Sequence, residues 1–255
     1  MNISSNKQTI LVFSDPHQHI DLAKYILEKE NYDVAVCLGD WFDSFDFDSD
    51  YDVEKTCKFL KTWVPKDNFY TCFGNHDIHY LYDNPSTRCS GYTRHKDKLI
   101  THNLGNFMPF IRDKFKWYIW IDDYLCSHAG INTYHMNPMV ELTKDGITKW
   151  LDEQINFATP ALINGGGHWL YGAGQGRGGS LKAGGINWQD WRREFEPIDG
   201  IKQIVGHTPH KNIVNHHTDG SLDLTTCDNL NIDCHLSQYL LIFNGKITIK
   251  NTKDL

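Results

Sequence analysis

Five short polar clusters, each directly after a stretch typical of a β-strand, limit what this chain can fold into. They occupy residues 15–17, 39–43, 74–77, 127–128 and 206–209. The first three follow the apolar or β-branched runs 9–13, 33–38 and 68–73, and residues with helical spacing lie between these runs. Such a β-α-β-α-β succession predicts a largely parallel sheet, which binds ligands beyond the carboxyl ends of its strands. We therefore expect these three clusters to converge on one site.

The second half of the chain predicts further strands around one long irregular segment. The predicted elements are a strand pair at 116–121 and 124–127, a helix at 140–157, strands at 203–205 and 230–232, and a hairpin that joins 239–243 to 246–249 through Asn244-Gly245. Residues 164–185 are rich in glycine and show no periodicity, and a loop of this length is usually functional or disordered. These elements predict two packed mixed sheets with helices outside.

The composition favours a soluble globular protein. With 40% hydrophobic and 22% charged residues, a chain of 255 residues can bury one sizeable core. The net charge is −7 without a block of like charges, which argues against a nucleic-acid or membrane surface. No run approaches the roughly 20 apolar residues of a membrane span, and the first residues do not form a signal peptide, so we expect a cytoplasmic protein. Seven cysteines without a C-x-x-C motif argue against a disulfide framework or a zinc ribbon.

The clusters supply aspartate, asparagine and histidine side chains, a donor set that suits Mn, Fe or Zn. Each aspartate alone at the end of a strand is more often a turn or cap residue. Five such clusters together favour a site for two metals that share one carboxylate. Two ions roughly 3.5–4 Å apart polarise a phosphoryl group and generate a hydroxide nucleophile, so this inventory predicts phosphoester hydrolysis.

In order and context, the five clusters resemble the motifs of the calcineurin-like metallophosphoesterases. Those motifs are D-x-H, G-D-x-x-D, G-N-H-D/E, a lone histidine after a strand, and G-H. The phosphoprotein phosphatase and diadenosine tetraphosphatase branch is the most similar, because Pro209 stands where the exonuclease-like branch would have a second metal-binding histidine. The resemblance covers about residues 8–250. It implies a single domain over residues 1–255 with a four-layer α/β/β/α sandwich, in which helices flank two mixed sheets.

The resemblance also implies a set of metal ligands. Metal 1 would be bound by Asp15, His17 and Asp40, and metal 2 by Asp40, Asn75, His128 and His207. The carboxylate of Asp40 would bridge the two ions, with Mn favoured for activity. His76 resembles the histidine that protonates the leaving group, and Asp43 the carboxylate that holds its tautomer. In this mechanism a metal-bridging hydroxide attacks the phosphorus in line.

Two positions near these motifs depart from the family pattern. Gln18 stands where a glycine normally follows D-x-H, and Ser44 stands where protein phosphatases of this type usually have an arginine that binds phosphate. Arg177 and Arg192 are the candidate replacements, and the spacing of Arg192 from the G-H-T-P strand favours Arg192. We expect the glycine-rich segment to fold over the metals as a phosphate-binding rim.

Three functions remain open at this point. The first is a phosphomonoesterase, similar to a Ser/Thr protein phosphatase, that acts on phosphoproteins or small phosphoesters. The second is a symmetrical dinucleoside tetraphosphate hydrolase, in which Tyr80, Tyr82 or Trp169 could bind adenine. The third is a noncatalytic phosphate-binding protein. All three predict a phosphorylated partner and no nucleic acid or membrane, and they leave the metal, the substrate and the oligomeric state open.

Overall fold

The computed structural model describes residues 1–216 and 228–255. Within these residues the strands are β1 (Asn2–Ile3), β2 (Thr9–Phe13), β3 (Val34–Cys37), β4 (Phe69–Thr71), β5 (Tyr118–Ile121), β6 (Tyr124–Ser127), β7 (Lys202–Val205), β8 (Val214–Asn215), β9 (Asn229–Asn231), β10 (Gln238–Phe243) and β11 (Lys246–Asn251). The α-helices are α1 (Ile20–Lys29), α2 (Asp50–Trp63), α3 (Asn75–Leu81), α4 (Arg94–Leu104), α5 (Met108–Lys114) and α6 (Lys144–Ile163).

The strands form two mixed sheets. The first sheet has the order β1-β5-β6-β7-β9-β8, and the second has the order β11-β10-β2-β3-β4. In the second sheet β2, β3 and β4 are parallel, and β10 pairs antiparallel with β2 and with β11. In the first sheet β6, β7 and β9 are parallel. The predicted architecture of two mixed sheets with flanking helices is confirmed, whereas the single-domain interpretation remains a prediction.

Strand β2 illustrates how the layers are held together. Ile10 and Val12 are fully buried in a cluster with residues of the first sheet, so they lie between the two sheets. Leu11 and Phe13 alternate with them and belong to the cluster that contains residues of α1 and α2. Since successive side chains of a strand point to opposite faces, a strand covered on both faces requires a continuous apolar run.

For two helices, the difference from the sequence-based expectation has a plain physical reason. Helix α6 begins at Lys144 and not at residue 140, because the side chain of Thr143 accepts a hydrogen bond from the Gly146 N–H and caps the helix. Helix α4 was not predicted, because polar side chains dominate its sequence and only a few, such as Ile100 and Leu104, are buried apolar residues. Its first turn is capped by Thr93. None of the helices within the described residues has the length and apolar character of a membrane span.

The glycine-rich segment is organised by one acidic side chain instead of by a packed element. It contains two short 3₁₀ turns, Trp169–Tyr171 and Gln175–Arg177. The carboxylate of Glu194 accepts hydrogen bonds from the N–H groups of Gly176, at 2.6 Å, and Gly184, at 3.0 Å. It also accepts one from the Asp190 N–H at 3.1 Å. These bonds give the segment a defined path, which no periodicity in the sequence reveals.

Candidate metal centre

Strands from both sheets end at one cavity with a volume of about 390 Å³. The residues that follow β2, β3 and β4 line it from the second sheet, and those that follow β7 and β9 line it from the first. Its lining includes His17, Asp40, Asn75, His76, His207 and Asp233. The structure therefore brings side chains of separate sequence clusters to one place.

The four residues predicted to bind metal 2 surround one point. His128 Nε2 lies 3.0 Å from Asn75 Oδ1, 3.1 Å from His207 Nδ1 and 3.3 Å from Asp40 Oδ2. All four residues are buried. Oxygen and nitrogen atoms that approach one another this closely can share a single cation.

The residues predicted to bind metal 1 form a second, more open group. His17 Nε2 lies 3.5 Å from Asp40 Oδ2 and 4.0 Å from Asp15 Oδ1. The donor atoms of Asp15, His17 and Asp40 all lie within 4.8 Å of one another, and the same holds for Asp40, His128 and His207. Asp40 belongs to both groups, as expected of a bridging carboxylate.

Backbone carbonyl groups orient two of the histidines for metal binding. His17 Nδ1 lies 3.0 Å from the carbonyl oxygen of Phe42, and His128 Nδ1 lies 3.0 Å from that of Leu38. A carbonyl oxygen only accepts, so in each ring Nδ1 carries a proton, and Nε2, which faces Asp40, is the nitrogen left to bind a metal. This is the tautomer in which a neutral histidine binds a metal through Nε2.

The charges in the site favour cations. Burial opposes a charge on His128, yet the carboxylates of Asp40 and Asp15 raise its pKa to about 9. Burial likewise opposes ionisation of Asp40, but His128 and His76 hold the pKa of its carboxyl well below the usual range. The site thus attracts positive charge, and bound metal ions supply that charge without protonating the ligands.

Two buried polar atoms also fit a bound group. Asp233 Oδ1 and His207 Nε2 have no hydrogen-bond partner within the described residues. An unpaired buried polar atom costs roughly 1–3 kcal/mol, whereas ions and the water molecules they bring would satisfy both atoms. Asp233 follows β9, and burial and the Asp15 charge raise its pKa to about 7. Sequence reasoning did not select Asp233, although its position after a predicted strand was the available signal.

The backbone around the ligands is tight and strained. Asp15, Asp40 and His207 have φ values of 52°, 60° and 68°, in the left-handed region that non-glycine residues rarely adopt. A methyl group on Gly74 would overlap the Asp40 carboxylate, and one on Gly206 would overlap that of Asp15. The glycines of these motifs are therefore required for close approach of two strand ends.

A buried network surrounds the predicted proton donor. His76 Nδ1 lies 2.9 Å from Asp43 Oδ2, and His79 Nε2 lies 3.1 Å from the same oxygen. Asp43 Oδ1 accepts hydrogen bonds from the Tyr80 hydroxyl at 2.6 Å and from Lys96 Nζ at 2.7 Å. Burial would raise the pKa of Asp43, but the hydrogen bonds from His76 and His79 hold it far below the usual range. Asp43 is therefore an ionised acceptor.

Lys96 is the member of this network that the sequence did not indicate. It lies on α4 and is only 4% exposed. A lysine in a polar helix is normally a solvated side chain, and only the packing of α4 against α2 brings Lys96 to Asp43. No local signal in the sequence identifies it.

The two candidate arginines occupy different places. Arg177 lines the cavity, and its Nη2 donates to the His207 carbonyl at 3.2 Å and to Thr208 Oγ1 at 2.8 Å. Its Nε lies 2.9 Å from Asp190 Oδ2, an ion pair without hydrogen-bond alignment. Arg192 is exposed and donates through its guanidinium to the Pro209 carbonyl, and it is not part of the cavity lining. The substrate-binding roles of both arginines remain predictions.

The fold and the order of the clusters agree with comparisons to known proteins. The sequence profile of the calcineurin-like phosphoesterases matches residues 8–237. No curated protein sequence matches the chain.

Solved structures share the fold at low sequence identity. The cold-active protein-tyrosine phosphatase of a psychrophile Shewanella sp. is 14% identical, with a TM-score of 0.59 over 100% of this chain and 80% of that one. A protein serine/threonine phosphatase from Saccharomyces cerevisiae is 13% identical, with a TM-score of 0.56 over 98% of this chain and 82% of that one. The predictions of the fold and of a metal-dependent phosphoric ester hydrolase are confirmed. With a profile match over most of its length, the chain belongs to the calcineurin-like phosphoesterase family.

Proposed function

We propose that this family member is a phosphomonoesterase that acts on phosphoproteins or small phosphorylated compounds. The observation that most supports this proposal is the hydrogen bond of 2.9 Å between His76 and Asp43, which orients the candidate proton donor. The backbone N–H of His76 also donates to Asp40 Oδ1 at 2.9 Å, so the proton donor and the shared metal ligand are fixed relative to each other. Two metal ions held by Asp15, His17, Asp40, Asn75, His128 and His207 would polarise a phosphoryl group and activate water.

His76 would transfer the proton to the leaving group. Its Nδ1 faces Asp43, so Nε2 is the ring nitrogen left for the substrate. As the P–O bond breaks, the leaving oxygen takes the proton from Nε2. Asp43 stabilises the charged imidazole, and donors from Tyr80 and Lys96 keep the Asp43 carboxylate in place.

Arg177 would orient the phosphoryl group. Its Nη2 is anchored to the His207 carbonyl and to Thr208, while its Nη1 has no hydrogen-bond partner within the described part of the chain. A guanidinium held in this way can donate its Nη1 hydrogens to a phosphate oxygen without losing further side-chain freedom. This geometry favours Arg177 over Arg192, which is the reverse of the preference based on sequence spacing.

No observation favours the dinucleoside tetraphosphate alternative. Of its adenine-binding candidates, Tyr80 is 1% exposed, and Trp169 stacks between His135 and Trp150 with ring centroids 4.5 and 5.3 Å away. Neither these two residues nor Tyr82 lines the cavity. Among the described residues, Arg177 is the one arginine in the cavity lining, whereas a chain of four phosphates calls for several cationic partners.

A substrate panel tests the proposed function. We expect the chelator-treated protein to be inactive and to regain activity with Mn on nitrophenyl phosphate and on phosphopeptides, because its ligands bind only when deprotonated. Diadenosine tetraphosphate should be a poorer substrate. Full activity in excess chelator, with no metal detected, would contradict the mechanism, and exclusive cleavage of the dinucleotide would contradict the substrate class.

The shared ligand predicts an effect on both metals. Asp40→Asn should reduce bound Mn to below about one ion per chain, since the carboxylate contributes to both donor groups. Asp46→Asn is the matched control, because Asp46 lines the same cavity but is exposed and belongs to neither group. Metal content after gel filtration gives the result, and equal Mn retention by the two variants would argue against a bridging role.

The proton-transfer role predicts a dependence on the leaving group. His76→Asn should lower kcat by about 10² to 10⁴ on an alkyl phosphate and less on nitrophenyl phosphate, whose leaving group needs no proton. Bound Mn should stay unchanged. His102→Asn, at an exposed histidine of α4 that does not line the cavity, is the control and should keep most activity. An equal loss on both substrates would point to phosphate positioning instead.

The arginine assignment predicts a contrast between two variants. Arg177→Ala should lower kcat/KM for phosphomonoesters roughly 10- to 100-fold, the value of a hydrogen bond to a charged group. Arg192→Ala should have a small effect, because the Arg192 side chain is exposed, is bound to the Pro209 carbonyl and does not line the cavity itself. Steady-state kinetics with metal content as a control measures both, and the opposite order of effects would restore the sequence-based preference for Arg192.

A further inference from the structure

The two departures from the family pattern near the metals contact each other. Gln18 and Ser44 are both buried. The backbone N–H of Ser44 donates to Gln18 Oε1 at 3.2 Å, and Gln18 Nε2 donates to the Phe47 carbonyl at 2.6 Å. The residues that replace a glycine and an arginine therefore act together, and what they hold is the segment of residues 44–48, here called the 44–48 loop.

Further contacts fix the 44–48 loop. Ser44 Oγ accepts hydrogen bonds from the N–H groups of Asp46, at 3.1 Å, and Phe47, at 2.9 Å. The Phe47 ring packs edge-on against His19, with 4.7 Å between ring centroids. At the end of the loop, Asp48 Oδ1 lies 2.6 Å from Lys96 Nζ, which also binds the Asp43 carboxylate. The loop is thus tied to the same lysine as the predicted proton donor.

Phe45 is the residue that this anchored loop presents at the cavity. Its side chain lines the cavity and is 84% exposed, whereas its neighbour Ser44 is 7% exposed. A single exposed phenylalanine is unremarkable by itself. Here the ring stands at the mouth of a catalytic cavity on a loop with fixed backbone, and the half-buried Trp188 lines the same cavity. A planar apolar group that enters the cavity could therefore pack against the rings of Phe45 and Trp188.

We propose that the 44–48 loop recognises the leaving group of the substrate, and that the preferred leaving group is an aromatic ring, as in phosphotyrosine or a small aryl phosphate. This proposal rests on the proposed phosphomonoesterase function. Aromatic rings pack favourably on one another in offset or edge-on arrangements. The loop contains the acidic residues Asp46 and Asp48 and no cation, so it would not attract a second phosphate. Its chemistry therefore fits an uncharged ring.

The reaction is an ordinary hydrolysis. The oxygen of water forms a bond to phosphorus, and the bond between phosphorus and the aryl oxygen breaks. The departing aryl oxygen takes a proton from His76, which gives a phenol and inorganic phosphate. One proton of the water stays on the phosphate, and the other is released to solvent, from which His76 regains its proton. Phe45 takes no part in the bond changes and acts only on the position of the ring.

Matched substrates test the proposal. Peptides of one sequence that carry either phosphotyrosine or phosphoserine would be compared, as would benzyl phosphate and cyclohexylmethyl phosphate, whose leaving groups are both primary alcohols. In Phe45→Ala the ratio of kcat/KM for the aromatic over the non-aromatic member should fall roughly 2- to 10-fold, the usual value of an aromatic pair. Gln18→Ala should lower the ratio less, through a looser 44–48 loop.

Phe157→Ala is the control, because Phe157 is 68% exposed on α6 and does not line the cavity, so both ratios should be unchanged. A fall confined to the small substrates, or confined to the peptides, would support the proposal and identify the source of the ring. Unchanged ratios in Phe45→Ala, or an equal loss on both members of each pair, would overturn it. If the wild-type protein cleaves no phosphomonoester with any metal, the proposed function fails as well.

Discussion

The position of the Asp40 carboxylate is the constraint on which the rest of the site depends. One of its oxygens accepts the His76 N–H, and the other lies 3.5 Å from His17 and 3.3 Å from His128. These partners follow β2, β4 and β6, so one side chain connects the ends of strands from both sheets. Asp40 reaches this position through a left-handed backbone, which Asp77 stabilises by accepting the Asp40 N–H at 2.9 Å. The buried strands therefore serve mainly to hold this carboxylate.

Several buried carboxylates lie close together in the site, and this negative charge links the stability of the fold to metal binding. Asp15, Asp40, Asp77 and Asp233 are all buried in or around the site. Burial raises the pKa of Asp15, and burial together with the Asp40 charge raises that of Asp77 to about 7. Buried carboxylates are unfavourable unless they are paired or bind metals. Since deprotonated ligands are required for binding, metal ions stabilise the folded site and keep its carboxylates ionised.

The sequence predicts those parts of the site that depend on local order along the chain. Strand ends and the residues directly after them are encoded in short segments, which is why the candidate ligands follow from the sequence alone. Lys96 depends on the packing of a polar helix, which no local signal reveals, whereas Asp233 lies after a predicted strand but outside the five clusters. The path of the glycine-rich segment depends on hydrogen bonds to the carboxylate of Glu194, which sequence spacing does not show. Spacing therefore favours Arg192, although Arg177 of this segment is the arginine that lines the cavity.

We expect two metal ions to share the Asp40 carboxylate. Anomalous diffraction from crystals grown with Mn measures this most directly, because it locates each ion without reference to activity. We expect two peaks roughly 3.5–4 Å apart, with the Asp40 carboxylate between them and the residues that follow β2 and β6 on opposite sides. A single peak, or two peaks of which only one lies within bonding distance of Asp40, would contradict it.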